Sequence, residues 1–163
     1  KPIVVSNDGE IPDLKDVLPT LTVSKGGLYP QEVLMLDYAH TYKANGENSF
    51  QNFWKWRYYV LNPQEILDKL YQEGFIEIGD LKSTLQKKTL PEIKEELSNI
   101  GQKTSGKKAD LIELLLSTGD IDYLEKKFSD RLYVLTEKGK VELESKENEY
   151  ITYLHQKHHK PYL

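Results

Sequence analysis

Residues 89–116, TLPEIKEELSNIGQKTSGKKADLIELLL, constrain the fold more than any other stretch of this chain. Thr89 followed three positions later by Glu92 forms a capping box, and Pro91 fits within a first helical turn. Leu90, Ile93, Leu97 and Ile100 recur at 3-4-3 spacing, which predicts one apolar helical stripe. Gly101 then supplies the residue at which such a helix closes. A second apolar segment brings Leu111, Ile112 and Leu115 to face the first. Between the two lies a short basic turn, Lys103-Thr104-Ser105-Gly106-Lys107-Lys108. A helical hairpin this small buries little apolar surface alone, so contact with the rest of the chain is expected to support it.

The flanking sequence reads as a larger host. Asn7-Asp8-Gly9, Pro12, Pro19 and Gly26-Gly27 mark residues 1–28 as an irregular arm, with short extended pieces at 3–5 and 21–23. A helix is predicted from Gln31 to about Lys43, ended by Asn45-Gly46. Phe50, Phe53, Trp54, Trp56, Tyr58 and Tyr59 form an aromatic block whose spacing predicts a helix with most rings in a core. Asn62, Pro63 and Glu65 read as a cap, a first helical residue and the closure of a capping box. That helix carries Ile66, Leu67, Leu70 and Tyr71 and stops at Gly74. A strand at 75–78, a helix at 120–128, a strand at 131–135 and a charged helix to about Glu149 follow in order around the hairpin.

With 163 residues, a net charge of −4 and no cysteine, the chain has no global basic field and no thiolate or disulfide chemistry. Any nucleic-acid contact must therefore come from a local patch. No apolar run reaches the length of a membrane span, so no membrane partner is expected. The chain starts at Lys1 without a signal-peptide apolar segment, and reads as a fragment of an intracellular protein, cytoplasmic or nucleoid-associated.

Residues 84–118 resemble the SAP domain, a helix–turn–helix module that usually binds DNA with little sequence specificity. The resemblance implies a backbone-binding site at Lys103, Thr104, Ser105, Gly106, Lys107 and Lys108. Lysine charge, hydroxyl donors and amides at a helix start are the groups that recognise phosphate. Ile100 and Leu114 stand where family members often carry Arg or Lys, and Gln102 replaces an apolar residue. Those changes suit a protein contact as well as DNA. Residues 80–120 hold seven Lys against seven acids, so the module is neutral overall.

With residues 80–129 removed, the remaining string is similar to the winged-helix family. Leu70, Glu73, Gly74, Phe75 and Ile76, then Tyr133, Leu135, Thr136, Glu137 and Gly139, carry that likeness. It implies an α+β, mostly helical fold: a winged-helix-like core at 29–79 plus 129–150, with a SAP-like insertion at 80–128. Residues 1–28 are then an arm and 151–163 a tail. Glu65, Asp68 and Glu73 against Lys69 make the helix that would read DNA acidic, which favours a scaffold or protein-docking surface over a second DNA-binding surface.

Other signals are weaker. Lys55 and Arg57 interleave with aromatic residues, a pattern that can stack single-stranded bases. His155 and His159 are spaced for one helical face but lack the glutamate of a metalloprotease motif, and no metal or cofactor is expected. Glu142, Glu144, Glu147 and Glu149 interleave with lysines as a solvated face does. No Walker loop, G-x-S-x-G or cysteine nucleophile is present, and the chain is expected not to be an enzyme. Two roles stay open at this level. One is sequence-indifferent binding to a DNA or RNA backbone. The other is a protein-interaction or accessory role, docking another protein or the remainder of the same chain.

Overall fold

A computed structural model describes residues 23–149 and 151, and these divide into two compact units. The fold is mostly helical with one two-stranded sheet, consistent with α+β. The extended pieces expected at 3–5 and 21–22 and the histidines near the C-terminus lie outside the described residues, and Val23 is not in a strand.

In the first unit, α1 (Pro30–Tyr38) runs into a 3-10 turn (Ala39–Thr41), so the regular helix ends earlier than its sequence predicts. Glu32 holds its start: the carboxylate accepts the Tyr29 amide at 2.9 Å and pairs with Lys69 at 2.6 Å. The short α2 (Phe53–Trp56) and the longer α3 (Pro63–Gln72) follow. α3 buries Ile66, Leu67 and Leu70 against a core that includes Leu34, Met35 and Trp54, and leaves Tyr71 exposed. Asn62 does not cap α3 through its side chain, contrary to the sequence pattern. Its ψ of 88° departs from the extended geometry of the chain's side-chain caps, and the Glu65 amide donates to the Asn62 carbonyl instead, at 3.2 Å.

The end of α3 follows its sequence. Gly74 sits at φ +80°, the Phe75 amide reaches back to the Leu70 carbonyl, and the Gly74 amide to Tyr71. β1 (Ile76–Ile78) pairs with β2 (Tyr133–Leu135), and the chain leaves the first unit along β1 and re-enters it along β2. Thr136 then caps α8 (Glu137–Glu144): its hydroxyl accepts the Gly139 amide at 3.1 Å and donates to the Gly74 carbonyl at 2.6 Å. A Cβ on Gly139 would fall 2.0 Å from the Phe75 carbonyl oxygen, so glycine is what lets α8 approach this closely. α8 breaks at Ser145 before a further helical turn at 146–149.

The second unit contains residues 43–46 and 78–134. Four helices form it: α4 (Leu81–Gln86), α5 (Leu90–Asn99), α6 (Lys108–Thr118) and α7 (Ile121–Lys127). Asp80 caps α4 on the Ser83 amide at 2.8 Å, and Asp120 caps α7 on the Tyr123 amide at 3.3 Å. One apolar cluster joins Leu81 and Leu85, Ile93 and Leu97, Leu111, Ile112 and Leu115, and Leu124 and Phe128. The α5–α6 hairpin is therefore completed from both flanks by α4 and α7.

Candidate nucleic-acid interface

The basic turn is held at both ends by local sequence. Leading into it, α5 begins in a formed capping box: the Thr89 amide donates to Glu92 at 2.7 Å, and the Glu92 amide to the Thr89 hydroxyl at 3.4 Å. The Thr89 amide, with the Thr89 hydroxyl donating to the same carboxylate at 3.0 Å, holds the Glu92 carboxyl below its ordinary range. α5 closes at Gly101, φ +72°, with the Gln102 amide returning to Leu97 and the Gly101 amide to Ser98. At its other end Gly106 adopts φ +136°, a conformation that L side chains rarely hold. Lys107 is the N-cap of α6 in extended geometry, and no side chain caps that helix.

The amides of Lys108, Ala109 and Asp110 occupy the first turn of α6, where no intrahelical acceptor exists. They share this end of the helix with its partial positive charge. Lys103, Thr104, Ser105, Gly106 and Lys107 are all exposed. Lys103 and Lys107 make no ion pair among the described residues. Lys108 differs from them. It is half-buried, and its ammonium donates to the Gln86 carbonyl at 2.7 Å, tying α6 to the C-terminal end of α4. Asp110, in the same first turn, is the acid nearest in sequence to the lysines.

One residue departs from the predicted hairpin stripe. Ile100 is 41% exposed, because α5 ends at Asn99 and Ile100 leaves the helical direction as its C-cap. Leu114 is half-buried and packs against the apolar cluster. The partnership of Lys108 with Gln86 carried no sequence signal, since a backbone carbonyl is available whatever residue bears it.

The aromatic block divides more sharply than its composition implies. Trp54 is buried, and its indole N–H donates to the Tyr42 hydroxyl at 2.8 Å. Trp56 is 63% exposed, with the Lys55 ammonium 5.8 Å from its ring centroid. Residues two apart on a helix point about 200° from each other, so one indole inside puts the other outside.

Among the described residues no helix is long and apolar enough to cross a membrane. Compared with known families, residues 84–117 match the SAP domain, about a fifth of the chain. SAP domains are generally DNA-binding modules. No curated protein and no solved structure matches the chain.

Proposed function

We propose that this chain is a non-enzymatic nucleic-acid-associating protein whose SAP domain holds the phosphate backbone at residues 103–108 without reading base sequence. The observation that carries this reading is the start of α6: an N-terminus with no side-chain cap beside the exposed lysines 103 and 107. Backbone amides at such an end suit a phosphate oxygen, and flanking ammonium groups add attraction without base selectivity. Gly106 keeps the approach clear of side-chain atoms, and Thr104 and Ser105 offer hydroxyl donors. Lys108 contributes charge from a fixed position. The remainder, residues 29–79 with 129–150, serves in this reading as a winged-helix-like scaffold for an insertion at 80–128. The acidic balance of α3, with Glu65 and Asp68 against Lys69, argues for support there over a second phosphate-binding face. Such a role places the protein inside the cell, with DNA or RNA.

Two free lysines and one tethered lysine imply two to three phosphate contacts, hence a log–log salt slope of roughly −2 to −3 on duplex DNA. Fluorescence anisotropy with labelled duplex DNA and duplex RNA at several salt concentrations measures it. Lys103→Glu combined with Lys107→Glu is expected to abolish binding while leaving the thermal midpoint unchanged, since neither side chain is packed. Duplex binding that survives this pair would remove the turn from the interface.

The exposure of Ile100 favours one second reading, a protein-docking role for the hairpin. Absence of nucleic-acid binding by the folded chain at low salt, together with partner capture sensitive to Ile100→Lys, would select it.

A further inference from the structure

Trp56 has no folding role that accounts for its position. It is the most exposed aromatic residue among the described large hydrophobics, at 63%, while Trp54 two positions earlier is fully enclosed. The segment that presents it is firmly held. The Trp54 indole is anchored on Tyr42, the Arg57 and Tyr58 amides both donate to the Phe53 carbonyl at 2.9 and 3.2 Å, and the Val60 amide closes on the Trp54 carbonyl at 2.8 Å. That last closure needs Tyr59 at φ +58°, which makes it the one non-glycine residue among the described ones with a left-handed backbone. A bulky residue in this conformation costs about 1–2 kcal/mol, and such strain is tolerated where the surrounding structure fixes it.

The chemistry beside the ring is cationic. Lys55 and Arg57 flank Trp56 in sequence and both are exposed, with the Lys55 ammonium over the indole. Arg57 also lies by the Tyr58 hydroxyl, whose ionisation burial pushes up to about 12 and the guanidinium opposes. An exposed indole with an ammonium at its ring and an exposed arginine next to it in sequence matches an unpaired base and the phosphates adjoining it. A duplex offers no such base, because its rings are already stacked.

We propose that Trp56, with Lys55 and Arg57, is a stacking site for an unpaired nucleobase in single-stranded nucleic acid, separate from the backbone-binding turn of the SAP domain. The site acts through π-stacking and charge, so it tolerates any base sequence. Single-stranded DNA and single-stranded RNA share the chemistry it recognises.

The experiment uses the full chain carrying Lys103→Glu and Lys107→Glu, so that the turn contributes nothing. Oligothymidylate and oligouridylate strands on the order of ten nucleotides are titrated while tryptophan emission is followed, with a mixed-sequence duplex as comparison. Saturable quenching by one or both single strands, and not by the duplex, is the expected result. Which strand quenches identifies whether DNA, RNA or both are accepted. Because these substitutions remove the reporting indole, their affinities are read by fluorescence anisotropy of the end-labelled strands: Trp56→Ala is expected to weaken single-strand binding roughly tenfold, and Trp56→Phe to weaken it less. Trp54 remains in both variants, and its buried emission reports whether the first unit is folded. Should Trp56→Ala unfold that unit, Lys55→Glu with Trp56 intact carries the test, with weakened quenching expected. No saturable quenching by either strand at low salt, or single-strand affinity unchanged in Trp56→Ala, overturns the proposal. Neither result touches the turn, whose own failure would show only in duplex binding by the unsubstituted chain.

Discussion

Leu124→Ala tests whether the folding unit is larger than the SAP match. The match covers 84–117, yet Leu81, Leu124 and Phe128, three of the nine buried residues in the apolar cluster, lie outside it. Leu124 is 1% exposed, and its removal takes three methyl or methine groups from the cluster. At about 0.8 kcal/mol per group the transfer loss is about 2.4 kcal/mol, and the cavity left behind raises the total to about 3–4 kcal/mol. Amide hydrogen exchange in α5 and α6 is the suitable assay, because it reads the opening of this unit directly. A loss of about 3 kcal/mol should speed the slowest exchange there by roughly a hundredfold. Both tryptophans belong to the first unit, so their emission gives an internal control that should not shift at the same denaturant concentration. Exchange in α5 and α6 changed by less than about fivefold, a cost under about 1 kcal/mol, would refute the reasoning. The matched stretch would then be self-sufficient and α7 only appended to it.

The remaining predictions separate charge from architecture. Lys108→Ala should cost about 1 kcal/mol of stability in the second unit through loss of the bond to Gln86, whereas Lys103→Ala should leave the midpoint within about 0.5 kcal/mol. Lys103→Ala should nonetheless reduce the salt slope on duplex DNA by about 0.9, and an unchanged slope would take Lys103 out of the contact. Asp80 sets an acid dependence. Its bond from the Ser83 amide, the leading cause, holds the folded carboxyl below its ordinary value. The stability it adds is therefore complete above that ordinary value and lost as pH falls through the lowered one. Thermal melts of the second unit between about pH 5 and pH 2 should lose part of their slope in Asp80→Asn, and an identical slope would show that the cap does not titrate as described.

Much of the second unit was legible because local chemistry and tertiary packing agree there. Thr89 with Glu92, Gly101, and the spacing of Ile93, Leu97, Leu111, Ile112 and Leu115 each demand the same hairpin that the fold contains. Ile100 shows where periodicity fails: the stripe continues in sequence beyond the residue at which the helix ends, so a matching position became an exposed one. Asn62 shows the same failure for caps, since a capping residue type does not fix the ψ angle the cap bond needs. The aromatic block places Trp54 and Trp56 in one group whose spacing predicts most rings in a core. Their separation follows from the helix period: on the four-residue helix, residues two positions apart face opposite ways, so one indole inside leaves the other outside. The role of Lys108 was hidden because its partner is a main-chain carbonyl.

Charge was the least legible property, and the reason bears directly on the site. Seven lysines against seven acids in residues 80–120 sum to nothing, which by itself argues against attraction to phosphate. The folded arrangement spends the two signs differently. Asp80, Glu92 and Asp120 each accept amides at helix starts, while Glu96 pairs with Lys127 and Glu113 with Lys82. Five of the seven acids are thus committed to caps and ion pairs. Lys103 and Lys107 stay exposed at the turn. Screening at physiological salt confines each charge to roughly 8 Å, so what a phosphate senses is the neighbourhood and not the sum. In residues 100–110 that neighbourhood holds three lysines and one acid, with Asp110 the sole offset. A neutral module can therefore carry a local anion site. Its affinity should then depend steeply on salt and on two side chains, and hardly at all on the charge of the chain as a whole.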